Sequence, residues 1–557
     1  MRRLILLFAI PLLLLPGYAQ TSTSLASPYV PIESWVYPAI ERLAAAGYIQ
    51  TAFAGLRPWT RMECARLLDE AREQQSELGP EEKADGQSAL LMRDLGREFA
   101  LELRQQDGVM RERQGAIESI DFRSSSIAGA PTTDGYHNAQ TLANDYGRPY
   151  GEGENVYTGV TLRASSGPFA SFIRAELQNT APDRLAPVSS QAAIAAADFT
   201  PQAALGPVSG FTRGRIIEVY GSYEFRNNQI SFGKQALWWG PGKGGPMLFS
   251  NNAEPLLMLR FDRVSPFELP GFGRFLGPIR LQAFIGRLSG QQFVHVVDQT
   301  FGTAGVALGD QPFIHGQKVS FKPTPNFEFS VSRTAIFAGT GSPFTTASLA
   351  RSLFSYSNTA GKNDPGDRRS AVDIQYRMPG VRNWLTAYID TFTDDEPFPL
   401  NYPTTSSWSP GIYLAKVPGL PHMDLRAEGF LTPHRDEFPG YYYFNVHYLS
   451  GYTNQRQLMG SWIGRESNGF QLWSHWWFSP RTSVEASVRH QSAASDFLRG
   501  GDLRDIQASA DVALRPEWQL HVAAQQERWR FPLFASSVTN NFTTTVQLSY
   551  RPKAKEL

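Results

Sequence analysis

Cysteine is almost missing: among 557 residues there is one, Cys64. A lone thiol closes no intramolecular disulfide, and its solitude removes every paired-cysteine zinc or iron–sulfur motif. Its simplest role is that of a small buried apolar side chain. Charge is scarce too, at 19% of residues against about 25% in an ordinary globular domain. Only nine of the 52 basic residues are lysine. The 52 acidic and 52 basic side chains cancel and form no long run of one sign, which argues against a phosphate-neutralising nucleic-acid surface. Long apolar runs are absent after the N-terminus, so no membrane-spanning helix is expected. Aromatics, by contrast, reach 12%, alongside 48 Gly and 38 Pro. That is too many rings for a disordered chain and many turn formers for a helical one, so an all-β fold is the first expectation.

The first residues form an export signal: Arg2 and Arg3, an uninterrupted apolar run over 4–15, then Gly17 and Ala19 at small-residue positions before a cleavage point. Cleavage after Ala19 would start the mature chain at Gln20, and with no cysteine there a lipid anchor is ruled out. Export without a spanning helix leaves a soluble exported protein or an outer-membrane β-barrel.

Charge is unevenly spread. Residues 30–113 hold 15 acidic and 11 basic side chains, about 31% of that segment, whereas the remainder falls to about 17%. The charged segment has helical periodicity. Val36, Ile40 and Leu43 share a face and the pattern stops at Gly47. Thr60 and Glu63 have capping-box spacing ahead of Leu67 and Leu68, and Leu91, Leu95, Phe99 and Leu103 predict a third helix over 88–106. From about residue 118 the period becomes two. Phe542, Thr544, Val546, Leu548 and Tyr550 alternate with polar residues, and similar runs occur at 173–178, 279–286, 327–332, 372–377, 385–390, 442–448, 484–489, 506–514 and 518–525. Roughly eighteen strands are expected, many of bilayer-spanning length. The expected organisation is a signal at 1–19, a helical bundle at 20–113 and a barrel at 114–557.

Export, strand length and aromatics near strand ends (Tyr441 to Tyr443, Trp473, Trp476, Trp477, Trp529) favour a transmembrane barrel over a soluble sheet. Arg174, Glu176, Arg280, Asp373, Arg377, Glu485, Arg489 and Asp511 would then line a wet lumen.

Catalytic motifs are missing. Gly240, Gly242 and Gly245 in WWGPGKGGP have dinucleotide-loop spacing, but two prolines intervene and no helix follows, so a turn or lumenal loop is the reading. Asp394, Asp395 and Glu396 are adjacent and lack calcium-loop spacing. No HExxH or nucleophile elbow occurs, and neither cofactor nor metal is expected. What remains suits sugars: Trp238, Trp239 and Trp462, with Asn251, Asn252, Arg260, Arg263 and Arg465 near them in sequence. Aromatic faces pack on sugar rings, while planar amides and guanidinium groups serve the hydroxyls and acidic groups. Trp473, Trp476 and Trp477 suit the same chemistry or an interfacial girdle.

Four segments resemble the Wzi family of capsule assembly proteins: WVYPAIERLAAAGYI (35–49), LRPWTRMECARLL (56–68), ISFGKQALWWGPGKGGPMLFSNNAEPLLMLRFDRVSPF (230–267) and GSWIGRESNGFQLWSHWWF (460–478). The resemblance implies an eighteen-stranded outer-membrane barrel with a helical bundle at its periplasmic end. It also implies non-catalytic, lectin-like binding of capsular or other surface polysaccharide, such as exopolysaccharide. Expected partners are that polysaccharide, outer-membrane lipid and lipopolysaccharide, and polysaccharide export machinery. The alternative on the same barrel is a porin or saccharide channel.

Overall fold

The computed structural model describes residues 25–77, 86–108, 113–183, 186–201, 210–295, 305–355, 367–381, 384–394, 404, 406–434, 439–552 and 555–556. The expected signal at 1–19 and the carboxylates Asp395 and Glu396 lie outside them.

Helices α1 (Val36–Ala45), α2 (Arg61–Glu77), α3 (Gly86–Glu98) and α4 (Ala100–Gln106) follow the apolar periodicity. Their stripes meet in one core of Ile40, Leu43, Leu67, Leu68, Leu91, Leu95 and Phe99. Cys64 is buried in it, where burial pushes the thiol well above its usual range and leaves it a packing residue. The capping box is only half formed. Thr60 Oγ1 accepts from the Glu63 N–H at 3.1 Å, but the Glu63 carboxylate turns to Arg66 at 2.8 Å and to Ser265 at 3.1 Å. The expected third helix divides at Phe99, whose φ of -104° leaves the helical range beside the Glu98 carbonyl that accepts from Arg61 Nη2 at 2.7 Å.

From Arg113 the chain is strand. One antiparallel sheet holds 19 strands, of which the last, Lys555–Glu556, only extends the edge beside Gln114 and Gly115. The other eighteen pair in sequence order and close through the pairing of Arg113–Ala128 with Thr539–Tyr550, Ile120 opposite Tyr550 and Ala128 opposite Phe542. At one end the turns are tight, two residues each at 167–168, 226–227, 325–326, 480–481 and 516–517. The connections at the other end are long, among them 129–152, 181–210, 236–255 and 432–466. The helices stand at the tight-turn end, where the Ala26 N–H donates to the Gly167 carbonyl and Arg61 reaches Glu118.

The sheet's outer face settles its environment. Phe122, Leu162, Ile216, Phe232, Leu257, Val488, Ile506 and Val546 point outward and are 38 to 63% exposed, whereas the inward Arg260 and Asp262 are fully buried. A soluble sandwich hides its apolar face; this closed sheet turns it out, as a lipid-facing barrel does. Near the tight turns the outer wall carries Phe169, Tyr223, Trp476 and Phe478, with Trp518 packed on Tyr550 at 4.8 Å between centroids, an interfacial girdle.

Three expectations are corrected. Residues 442–448 are not a strand: Tyr442, Tyr443, Phe444 and Tyr448 are all buried, because this loop packs inside the barrel and both of its faces meet protein. Trp473, Trp477 and Trp529 point inward and are buried, so of the tryptophans expected at strand ends Trp476 alone belongs to the girdle. The lumen is largely filled. Arg280, Asp373, Arg377 and Arg489 are at most 4% exposed, while the Asp511 side chain keeps 47%.

Candidate functional site

Besides the 442–448 loop, two plugs enter the lumen from opposite ends and meet inside it. From the tight-turn end comes the segment after α1, where the N–H groups of Ala54 and Gly55 donate to Glu328 at 3.2 and 3.0 Å and Lys322 donates to the Ala52 carbonyl at 2.5 Å. From the other end the 236–255 loop folds down along the wall. The N–H groups of Lys243 and Gly244 donate to Glu428 at 2.7 and 2.8 Å, and that of Met247 donates to Asp390 at 2.7 Å. Gly244 is required there, since a Cβ would lie 2.8 Å from Phe430 and 2.9 Å from Glu428. The plugs join by a β-bridge: Arg57 N–H to the Trp238 carbonyl at 3.0 Å, and Trp238 N–H to the Arg57 carbonyl at 3.1 Å. Inward carboxylates thus serve as acceptors for loop backbone, which is why the glycine-rich sequence sits opposite acidic strands.

The eight sugar-site candidates divide between plug and wall. Trp239 donates to Gln282 at 2.6 Å and packs on Phe249 and Phe284; Trp238 sits with Ile32, Tyr146 and Ile217. Asn252 donates to the Leu458 carbonyl at 3.1 Å, and the Asn251 carbonyl accepts from the Tyr146 N–H at 2.7 Å. Trp462 packs edge-on against Phe430, beneath the Arg489 guanidinium. Arg260 pairs with Asp262 at 3.1 Å and lies over Tyr29. Arg465 donates to Asp198 at 2.6 Å and to the Gly440 carbonyl at 2.8 Å. All seven are buried. Arg263, half-buried, is held at the tight-turn end by the Arg226 carbonyl at 2.9 Å. The structure therefore brings Trp238, Trp239, Asn251, Asn252 and Trp462 into the barrel's filling and leaves Arg263 far from the long loops.

The long loops are locked by a buried charge cluster. His137 lies between Asp134 at 2.7 Å and Asp198 at 2.8 Å, and Arg465 holds Asp198 from the other side. Burial opposes charge on the imidazole, but the two carboxylates outweigh it and raise His137 to about 9. A group raised on folding stabilises fully below its unfolded pKa of about 6.5, and the contribution is lost as pH rises through the folded value. We expect thermal stability of the purified barrel to fall between pH 6.5 and 9.5, by roughly 3 kcal/mol. In His137→Gln, monitored by tryptophan fluorescence, the drop over that window should shrink by about that amount.

Above this filling, the outer end presents side-chain amides. A two-strand hairpin, Thr453–Asn454 with Gln457–Leu458, turns through Gln455 and Arg456 at φ 50° and 67°, and both tip residues are exposed. Gln457 Oε1 accepts from Gln140 at 2.6 Å, and the Gln455 N–H donates to the Ser289 carbonyl at 2.7 Å. Gln311 exchanges hydrogen bonds with the backbone of Gln291, 3.0 and 2.9 Å, and Gln291 in turn donates to the Thr453 carbonyl at 2.8 Å. Gln140, Gln292, Gln311 and Gln457 are half-buried, neither sealed nor free to wander. Each amide carries both donors and an acceptor, the complement of a sugar hydroxyl. Among the described residues no group of three or more His, Cys, Asp or Glu is placed to hold a metal.

Comparison with known proteins adds to this geometry. Residues 123–544 match the family model of the capsule assembly protein Wzi. Over 184 residues the chain is 24% identical to an uncharacterized 55.8 kDa protein in the cps region of Klebsiella pneumoniae, a stretch covering 32% of this chain and 33% of that one. The chain thus spans about a third of the length of this curated relative. The solved structure of Wzi from Escherichia coli, an outer-membrane protein involved in group 1 capsule assembly and a carbohydrate-binding β-barrel, matches with a TM-score of 0.64 at 13% identity, covering 95% of this chain and 100% of that one. At that identity the likeness is one of fold.

Proposed function

Because the chain belongs to the Wzi family of capsule assembly proteins, we propose that it is an outer-membrane lectin: a plugged barrel that binds capsular or other surface polysaccharide at its outer end and helps fix it to the cell surface. In this reading it is not an enzyme, its partner is the polysaccharide, and delivery follows a cleaved N-terminal signal. The observation that carries the proposal is the amide face, partly ordered by its own hydrogen bonds and raised on the hairpin tip at Gln455, beside the exposed Arg456. Such a face meets many hydroxyls along a polymer at little ordering cost. The buried Trp238, Trp239, Asn251, Asn252, Trp462 and Arg465 act beneath it, holding the loops in place. A filled lumen supports binding at the end rather than passage through the middle.

Titration of purified polysaccharide onto the detergent-solubilised chain, read by biolayer interferometry, checks the site. Gln455→Ala with Gln457→Ala should weaken binding about tenfold, as expected for losing one or two net hydrogen bonds. Unchanged affinity in a barrel that still shows heat-modifiable migration would move the site elsewhere.

A further inference from the structure

The outer wall carries a feature that polysaccharide binding at the barrel end does not use. Strands Gly501–Arg515 and Trp518–Arg530 pair so that Arg504 lies directly opposite Arg528. Both are exposed and point outward, since the alternate residues Asp505 and Glu527 are buried on the lumenal side. Directly opposed side chains start from Cβ atoms about 5 Å apart, and like charges there repel. Neither guanidinium has a hydrogen bond or ion pair among the described residues. The nearest outward acid, Asp502, stands opposite Arg530 and approaches it at 3.9 Å. His490 and Asn540 flank the pair in the same lateral row, His490 opposite Arg504 and Asn540 opposite Arg528.

The height of this row identifies what it faces. Trp518, in the girdle at the tight-turn end, precedes Arg528 by ten residues on one strand. At about 3.3 Å per residue and a tilt of about 40°, that is a rise of about 25 Å, the height of a barrel's apolar band. In the row beneath, Ile506 and Phe542 are 63% and 44% exposed on either side of Gln526, whose amide is occupied by the Glu527 and Asn541 carbonyls. Two unpaired arginines therefore stand where the hydrocarbon ends and the outer head groups begin.

We propose that Arg504 and Arg528 clamp a phosphate group of a phosphorylated glycolipid in the outer leaflet. Guanidinium groups bind phosphate bidentately, and an anion between them turns their repulsion into attraction. The inference rests on the outer-membrane placement proposed above. It would seat the lectin beside anionic glycolipid, with the polysaccharide face directly above.

The test is native mass spectrometry of the full chain in a neutral detergent, with bisphosphorylated lipid A, its dephosphorylated form and inorganic phosphate as probes. Bisphosphorylated lipid A should give a one-to-one adduct that the dephosphorylated form does not, and millimolar phosphate should not displace it. Arg504→Gln with Arg528→Gln should weaken the adduct about thirtyfold, and the double lysine variant should recover part of the loss. Equal adducts with the glutamine variant, or with dephosphorylated lipid A, would overturn the clamp; full displacement by inorganic phosphate would overturn the lipid as its ligand. Heat modifiability reports folding of each variant, and recovery in the outer-membrane fraction reports the placement separately, so failure of the clamp is distinguishable from failure of the reading beneath it.

Discussion

In planar bilayers the full chain should insert and show almost no current. Eighteen strands close a wall wide enough for an aqueous channel, so an empty barrel of this size would conduct. The lumen here is filled from both ends, and the plugs share backbone hydrogen bonds between Arg57 and Trp238. Removing residues 26–108, which carry the helices and the inserted segment, and replacing 238–248 by two glycines takes out the two plugs that meet at Arg57 and Trp238 and leaves the 442–448 loop as the remaining filling. The wall keeps its strand pairing, and steady openings at least about tenfold above the wild-type level should follow. Either removal alone leaves the other plug in the lumen and should have a smaller effect. Large, steady conductance from the unaltered chain would favour the porin reading.

The second large effect is expected at Arg61. Its guanidinium, 2% exposed, donates to Glu102 at 2.6 Å and Glu98 at 2.9 Å, and reaches Glu118 on the first strand at 3.2 Å. The same Glu102 meets Arg163 of the second strand at 3.4 Å. Burial raises the Glu102 carboxyl, but Arg61 and Arg163 more than reverse this and hold it below its usual range. Arg61→Ala would leave Glu98, Glu102 and Glu118 around one remaining guanidinium. Breaking a buried pair in this way costs about 3–5 kcal/mol. Since the cluster joins the helices to the barrel, the helices should loosen before the wall does. Limited trypsin digestion should cut the variant within residues 86–108 at concentrations that spare the wild type, while heat modifiability of the barrel persists. Equal resistance of the two proteins would show that the helices are held by other contacts.

Much of the architecture can be read from residues. The 3.6 period runs to about residue 106 and a period of two holds from about 118, and helix gives way to strand between Gln106 and Arg113 because each periodicity suits one geometry. The low charge of the second part follows from an outer wall whose residues at Phe122, Ile506 and Val546 meet lipid rather than water. The inside is harder to read. In a water-filled barrel an inward Arg or Trp is accessible; here plug segments cover them, so Trp239 and Arg260 carry a sugar-binding composition and a packing role. The alternation at 442–448 misleads for the same reason, because a loop enclosed on all sides has no solvent face. The amide face escapes sequence reading altogether. Gln140, Gln292, Gln311, Gln455 and Gln457 are spread over more than 300 residues, and only the long-loop end of the barrel brings them together. Its only local signs are the adjacent Gln291 and Gln292 and the near pair Gln455 and Gln457. Likewise Arg504 and Arg528 become a pair only through strand register.

A polysaccharide array probed with the detergent-purified full chain tests the central claim most directly. The predicted result is saturable retention of a surface polysaccharide by the folded barrel, selective for one polymer over others of similar size and charge. A barrel that is folded by heat modifiability yet binds no polysaccharide on the array would contradict the account.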